Sequence, residues 1–188
     1  MIALIALAAA LPTVFGIPLG DVVALPECAH ARISADRLSS DLYDPSQTTL
    51  CQQIPGVEHS PIPNEGGIVF PLAEMPIILS FPKMTTIVID KKIEAIRADT
   101  LSFNSSPAII DQLTEKFGPP SEKRPETIRV GLAAYPSVRV LWIRDGYRVE
   151  YSAIGGSLNY GWVRVETDKA RAIREAEERA VEAKRTPL

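Results

Sequence analysis

The sequence predicts an α+β protein. We expect an antiparallel β-sheet with one central packing helix, an irregular disulfide-tied N-terminal segment and a charged C-terminal helix. Three observations predict this: an amphipathic helix pattern at 105–120 lies between blocks of strand-like sequence, two cysteines flank a polar segment, and the C-terminal end is rich in Ala, Glu, Lys and Arg. The predicted organisation is a signal segment at 1–13, a Pro/Ser-rich segment at 14–63, a core domain at 64–167 and a helix at 168–188.

The central helix is predicted at 107–117. Ser106 is the expected N-cap, because its hydroxyl can accept a hydrogen bond from a free N–H of the first turn, and Pro107 suits the first helical position. Gly118 and the two prolines after it end the helix. A helix of about three turns is marginal alone in water, so we expect its apolar face to cover the sheet rather than bind a partner. That face comprises Ile109, Ile110, Leu113 and Phe117.

Two hairpins are predicted in a sheet that runs from 85 to 167. The first occupies 85–99, with a polar turn at 90–92. The second occupies 137–153, where Asp145-Gly146 predicts a type I′ turn because both residues tolerate positive φ. A further strand at 158–167 completes the sheet, with Val163 and Val165 on one face and Trp162 and Arg164 on the other. The predicted partners in the second hairpin are Trp142 with Val149, Val140 with Tyr151, Val138 with Ala153, Leu141 with Glu150 and Ile143 with Arg148.

The remaining elements have weaker patterns. We expect an entry strand or tight turn at 14–25, a short helix at 34–42, and two short edge strands at 68–81, since the prolines there cannot donate to a central ladder. The charged stretch 121–126 is predicted to be a loop, with a strand at 127–133. Thr167 or Asp168 should cap the last helix, at 168–184, whose apolar stripe is thin; a solvated helix is favoured over a partner-binding one.

The apolar run at 2–11 matches the central region of a secretory signal and is too short to span a bilayer. It lacks the usual Lys or Arg before it, so a buried N-terminal helix or strand is the alternative. We expect a periplasmic or secreted protein, with no integral membrane span after removal of the signal.

Cys28 and Cys51 are the two cysteines of the chain. In an exported protein such a pair predicts a disulfide, and a loop of this size contributes about 3 kcal/mol. Together with His30 and His59 they could instead form a tetrahedral zinc site. The disulfide is favoured, because the spacing of the four residues matches no familiar zinc module. No cofactor is expected.

The sequence contains no pattern typical of catalysis or nucleotide binding. We therefore assign no catalytic residue and expect a non-enzymatic protein. The net charge of −3, with both signs interspersed, gives no electrostatic footprint for nucleic acid. Aromatic residues in the last strands are either a binding face or core and cross-strand pairs. These residues are Trp142, Tyr147, Tyr151, Tyr160 and Trp162.

Two stretches carry a resemblance. The opening FGIPLG with Cys28 and Cys51, and the helix end LTEKFGPP, resemble small exported proteins of Gram-negative bacteria. The order of helix, KFGPP, strand, DG and strand is similar to small envelope and inhibitor-type domains that pack a helix on an antiparallel sheet. The expected function is binding of an unknown protein or envelope component in the periplasm. The alternative is a small periplasmic inhibitor or hydrolase that acts on cell-wall or protein targets.

Overall fold

A computed structural model describes residues 11–22, 25–34, 37–43, 48–53 and 65–184. This part of the chain forms twelve strands, two α-helices and two short 3-10 turns. The first six strands are β1 Thr13–Val14, β2 Ile17–Pro18, β3 His30–Ser34, β4 Arg37–Tyr43, β5 Cys51–Gln53 and β6 Glu65–Val69. The others are β7 Leu79–Ile89, β8 Lys92–Thr100, β9 Glu122–Val130, β10 Ala133–Arg144, β11 Tyr147–Ser157 and β12 Tyr160–Thr167. The helices are α1 Ser106–Phe117 and α2 Asp168–Lys184.

Eight strands form one sheet in the order β5-β6-β7-β8-β12-β11-β10-β9. Every neighbouring pair in it is antiparallel. The sheet consists of two four-stranded meanders, β5 to β8 and β9 to β12, and α1 lies between them in the chain. The meanders meet where β8 pairs with β12. The α+β class is thus confirmed, in a sheet larger than the predicted range of 85–167.

Helix α1 covers one face of this sheet. Its Ile109, Leu113 and Phe117 are buried in the same cluster as the side chains of the sheet, among them Trp142 and Val163. Burial of this apolar stripe supplies the stability that a twelve-residue helix lacks alone. The predicted role of the helix is confirmed.

The start of α1 differs from the prediction. Ser106 is the first helical residue rather than the N-cap, and the cap residue Ser105 makes no side-chain capping bond. The Ser106 hydroxyl instead donates to the Phe103 carbonyl (2.5 Å) and accepts from the Tyr151 hydroxyl (3.0 Å). It is drawn inward because Tyr151, fully buried beneath the helix, needs a hydrogen-bond partner. At the other end, Gly118 is the C-cap, with φ 77° and ψ −174°, a conformation outside the left-handed helical region that glycine alone adopts readily.

The second hairpin has the predicted register from Val140 to Ile143, including Trp142 opposite Val149. Its turn is not type I′, because only Gly146 of the two turn residues has a positive φ (79°). That pattern suits a type II turn, which needs a left-handed residue at its second central position alone. The predicted pairing of Val138 with Ala153 is absent from the described ladder, which ends at Arg139 opposite Ser152.

Three other predictions are corrected. The charged stretch 121–126 belongs largely to β9, an edge strand whose side chains are mostly exposed, so charge there does not oppose pairing. Residues in the predicted helix 34–42 lie in β4, which pairs with β3. The stretch 68–81 contributes interior strands, because β6 pairs with both β5 and β7. Pro82 is accommodated where the ladder between β7 and β8 shifts, between Leu79 and Met84.

The N-terminal part packs on the core. Strands β1 and β2 form a tight hairpin whose Val14 and Ile17 are buried in the main cluster, and Leu11, within the predicted signal segment, packs against it.

Cys28 and Cys51 form the predicted disulfide. Because both sulfur atoms are bonded to each other, neither is a thiolate that could bind zinc, and the alternative of a zinc site is wrong. His59 lies outside the described residues, as do residues 1–10.

Helix α2 has the predicted bounds and the predicted cap. The Thr167 hydroxyl accepts from the Ala170 N–H (3.2 Å) and donates to buried Glu94 (2.6 Å). The helix lies on the face of the sheet opposite α1, with Ala170 buried and the rest of its stripe largely exposed. None of the helices in the described ranges has both the length and the apolar composition needed to cross a membrane.

Candidate functional site: an arginine face around Trp162

The alternation of side chains along β12 separates the two faces of the sheet. Val163 and Val165 are buried beneath α1, whereas Trp162 and Arg164 lie half-buried on the opposite face. This is the alternation predicted from the sequence. The opposite face is polar where α2 does not cover it, so it is the one that can meet a ligand.

Three arginines surround the ring of Trp162. The guanidinium carbons of Arg164, Arg97 and Arg139 lie 5.2, 5.7 and 5.9 Å from the ring centroid. They reach it from three strands, β12, β8 and β10, because Trp162 lies near the middle of the sheet. We call these four residues the arginine face. A guanidinium held against an aromatic ring still has N–H groups at its edge, which can bind a carboxylate or a phosphate.

Close packing holds Trp162 in place. The ladder between β11 and β12 is interrupted between Ser152 and Ser157, and Gly155 in this interruption lies against the Trp162 ring. A Cβ at Gly155 would lie 3.1 Å from Cδ1 of Trp162. The absence of a side chain at this position therefore lets the indole approach the backbone.

Arg97 and Arg164 lie directly opposite each other in the ladder between β8 and β12. Like charges in this arrangement destabilise a sheet. Among the described residues, neither guanidinium forms a salt bridge with a carboxylate. Burial lowers the pKa of Arg164 below its usual range, since removal from water disfavours its charge. These two residues therefore offer cationic groups whose charge is not neutralised by an ion pair.

Other arginines on this face are neutralised. Glu150, which is buried, pairs through its two oxygens with Arg139 (2.9 Å) and Arg148 (3.1 Å). Arg139 also reaches Glu126 at 2.9 Å. The buried carboxylate thus fixes the position of Arg139 beside Trp162 and leaves it less charge for a ligand than Arg97 and Arg164 have.

A groove of about 510 Å³ opens beside the arginine face, between α2 and strands β7, β8 and β12. Such a volume is in the range of small-molecule sites. Ile87, Ala95 and Ile173 line one end of the groove, and Arg97 and Arg164 line the other. On the wall formed by α2, Arg174 makes a two-pronged ion pair with the buried Glu166, at 2.7 and 3.0 Å. This pair raises the pKa of Arg174 above its usual range.

The five aromatic residues considered as a binding face are not brought together. Trp142 and Tyr151 are completely buried under α1, and the Trp142 indole donates to the Gly118 carbonyl. Tyr147 packs against Phe117 in the same layer. The interpretation of all five residues as one binding face is therefore wrong, because these three rings belong to the hydrophobic core. Tyr160 and Trp162 remain partly exposed, and Tyr160 forms an edge-to-face pair with the exposed Phe81 (6.3 Å).

The arginines were missed in the sequence because no local pattern connects them. Arg139, Arg148 and Arg164 alternate with apolar residues along their strands. This alternation places them on the face opposite α1, but only the pairing of the strands shows which arginines are neighbours. Within the described residues, no group of three or more Cys, His, Asp or Glu is arranged to hold a metal ion. The chemistry that this site offers is cationic and aromatic recognition.

Comparison of the chain with protein-family models, with curated proteins and with solved structures finds no match.

Proposed function

We propose that the protein is a non-enzymatic binding protein that works outside the cytoplasm and holds an anionic ligand on the arginine face. One observation carries the proposal: Arg97 and Arg164 lie opposite each other against Trp162, and neither forms a salt bridge among the described residues, although Glu150 lies opposite Arg164 on β11. Opposed like charges weaken a sheet. Positions that break a local rule of stability are often functional, and an anion bound between the two would remove the repulsion.

The disulfide between Cys28 and Cys51 supports a location outside the cytoplasm, because disulfides form and persist in oxidising compartments. The apolar run at 2–11 supports export in the same way. The resemblance to exported proteins of Gram-negative bacteria favours the periplasm, where an envelope component with phosphate or carboxylate groups would be the partner.

Fluorescence titration tests the anion site. Methyl phosphate is added at low ionic strength, with sodium chloride of equal ionic strength as the control. We expect a saturable change in the emission of Trp162, which is half-exposed, and little change from the buried Trp142. The double variant R97Q/R164Q should lose the response, since it removes both unpaired charges.

A matched control variant is R129Q. Arg129 is an exposed arginine on the edge strand β9, opposite Ala134, and it should be dispensable. A Trp162→Phe variant identifies the source of the signal. A response that is absent from the wild-type protein, or that survives in R97Q/R164Q, would contradict the proposal.

The alternative role is that of a periplasmic inhibitor or hydrolase acting on cell-wall or protein targets. The exposed Phe81, paired with Tyr160, favours the inhibitor version, because exposed aromatic side chains are common anchors in protein interfaces. Capture of a periplasmic enzyme by the wild-type protein, lost in Phe81→Ser and kept in R97Q/R164Q, would favour this alternative.

A further inference from the structure

The groove beside the arginine face changes character along its length, and the two adjacent strands β7 and β8 both change from apolar to polar side chains in the same direction. On β7, Ile87 is followed in the direction of the arginines by Thr85 and Lys83. On β8, Ala95 gives way to Arg97, which lies opposite Thr85. The arginines thus lie at one end of the groove and the apolar side chains at the other. Glu65, opposite Ile87 on β6, and Glu177 of α2 also line the groove.

Helix α2 supplies the outer wall of the apolar end. Ala170 is buried against the sheet, while Ile173 is partly exposed and faces the groove. Ile173 keeps 43% of its surface exposed, and Ile87 and Ala95 line the same groove. A ligand that fills the space would remove this surface from water.

Acidic residues limit the cationic excess. Glu166, at the apolar end, is neutralised by Arg174. Asp99 lies opposite Trp162 and forms no ion pair among the described residues. It offsets part of the charge of Arg97 and Arg164. A ligand with one anionic head suits this end better than a polyanion does.

We propose that the ligand is an amphiphile: its single anionic head group, a carboxylate or a phosphate, binds Arg97 and Arg164 against Trp162, and its aliphatic body lies in the groove under Ile173. This inference rests on the proposed anion-binding function and specifies the ligand class. The complementarity of charge at one end and of apolar surface at the other selects such a molecule over a free anion.

The test is a chain-length series. Methyl, butyl, hexyl and octyl phosphate, each below its critical micelle concentration, are titrated into the full chain and followed by calorimetry and by Trp162 fluorescence. Octanoate is the carboxylate arm. Affinity should rise roughly fourfold for each methylene that becomes buried, until the groove is filled. Octyltrimethylammonium, with the same chain and the opposite charge, should bind far more weakly.

Two variants locate the body of the ligand. Ile173→Ser should weaken octyl phosphate by roughly tenfold and leave methyl phosphate unchanged, because only the long chain reaches α2. Val181→Ser is the control, an exposed apolar residue on the same helix that does not line the groove. R97Q/R164Q should weaken all phosphates by tenfold or more, whatever their chain length.

The outcomes are distinguishable. If methyl and octyl phosphate bind equally, the amphiphile is excluded while the anion-binding function stands. If no phosphate or carboxylate binds, both proposals fail. If octyltrimethylammonium binds as well as octyl phosphate, the head group does not bind the arginines. If Ile173→Ser keeps the wild-type dependence on chain length, the aliphatic body does not lie under Ile173. Far-ultraviolet circular dichroism and thermal melts of each variant exclude loss of folding as the cause.

Discussion

Arg97 and Arg164 lie opposite each other on neighbouring antiparallel strands, with their guanidinium carbons 5.7 and 5.2 Å from the centre of the Trp162 ring. The protein thus keeps two like charges close at a point where the two halves of its sheet join. The attraction of each guanidinium to the indole offsets part of their repulsion. Glu150, which lies opposite Arg164 on β11, offsets a further part. We expect some repulsion to remain in the free protein, and an anionic ligand would relieve it.

Arg97→Thr should therefore stabilise the free protein while it abolishes anion binding. Removal of the opposed charge should raise the free energy of unfolding by about 0.5 kcal/mol, since threonine also favours strands. Urea denaturation at low salt measures this change. Arg129→Thr, opposite an alanine, is the control and should give no such gain. A lower free energy of unfolding in Arg97→Thr than in the wild type would show that the repulsion between Arg97 and Arg164 does not destabilise the protein.

Arg174→Gln should loosen α2. It leaves the carboxylate of Glu166 buried without its ion-pair partner, at an expected cost of about 3 kcal/mol. Because α2 has few other buried side chains, its amides should then exchange hydrogen much faster than those of α1. Arg179→Gln, exposed on the same helix, is the control. Unchanged exchange in α2 would mean that apolar contacts alone hold it.

Tyr151 should make the fold sensitive to alkali. Burial raises its pKa above the ordinary value, although the hydrogen bond with Ser106 opposes the shift. The folded protein therefore favours the neutral phenol. This contribution to stability is complete below the unfolded pKa of about 10 and is lost as the pH rises through the folded value.

Tyr151→Phe should thus show a smaller loss of stability above about pH 10 than the wild type does. At neutral pH it should be less stable by roughly 1 kcal/mol, because a buried hydrogen bond is lost. Urea denaturation from pH 7 upward measures both effects. Tyr160→Phe, at a half-exposed tyrosine, is the control; if it flattens the profile as much, Tyr151 is not the responsible group.

Gly161→Ala should destabilise the protein by about 1–3 kcal/mol through overpacking. Gly161 lies where β12 crosses between β8 and β11, and an added Cβ would clash with the Ser152 carbonyl and lie 2.9 Å from that of Ala153. Backbone atoms of a paired strand cannot move aside cheaply. Thermal denaturation measures the loss, and a melting temperature equal to that of the wild type would contradict this account.

Replacement of both cysteines by serine should cost about 3 kcal/mol. The disulfide joins the segment around Cys28 to β5, at the end of the sheet, and Cys51 is completely buried beside Val69. Urea denaturation of the C28S/C51S protein, compared with the reduced wild type, separates the covalent effect from the cost of burying serine. An equal free energy of unfolding for the oxidised and the reduced wild-type protein would show that the disulfide does not stabilise the fold.

The elements that were predicted from the sequence have local signals. Helix α1 has an apolar stripe between a proline and a glycine, and the hairpin of β10 and β11 has Asp145-Gly146 between alternating residues. Strand β9 was missed because an edge strand with mostly exposed side chains has no burial pattern. Ser106 was assigned to the wrong position because its buried partner, Tyr151, is distant in the sequence.

The candidate site could be predicted only in part, because its residues come from strands that are distant in the sequence. The sequence places Trp162 and Arg164 on one face of a strand, and the structure agrees. That Arg97 lies opposite Arg164 depends on the pairing of β8 with β12, which joins strands of different meanders. No hairpin turn specifies that pairing. It follows from the packing of the whole sheet beneath α1.

The central position of β12 has a consequence for how the chain is made. Strands β8 and β11 each present an unpaired edge until β12 is inserted between them, and β12 is synthesised after every other strand of the sheet. The two halves therefore remain separate on the ribosome, and a chain truncated before Tyr160 would expose both edges to neighbouring molecules. Final assembly waits for the last strand to emerge, because the pairing of β12 with both β8 and β11 closes the sheet.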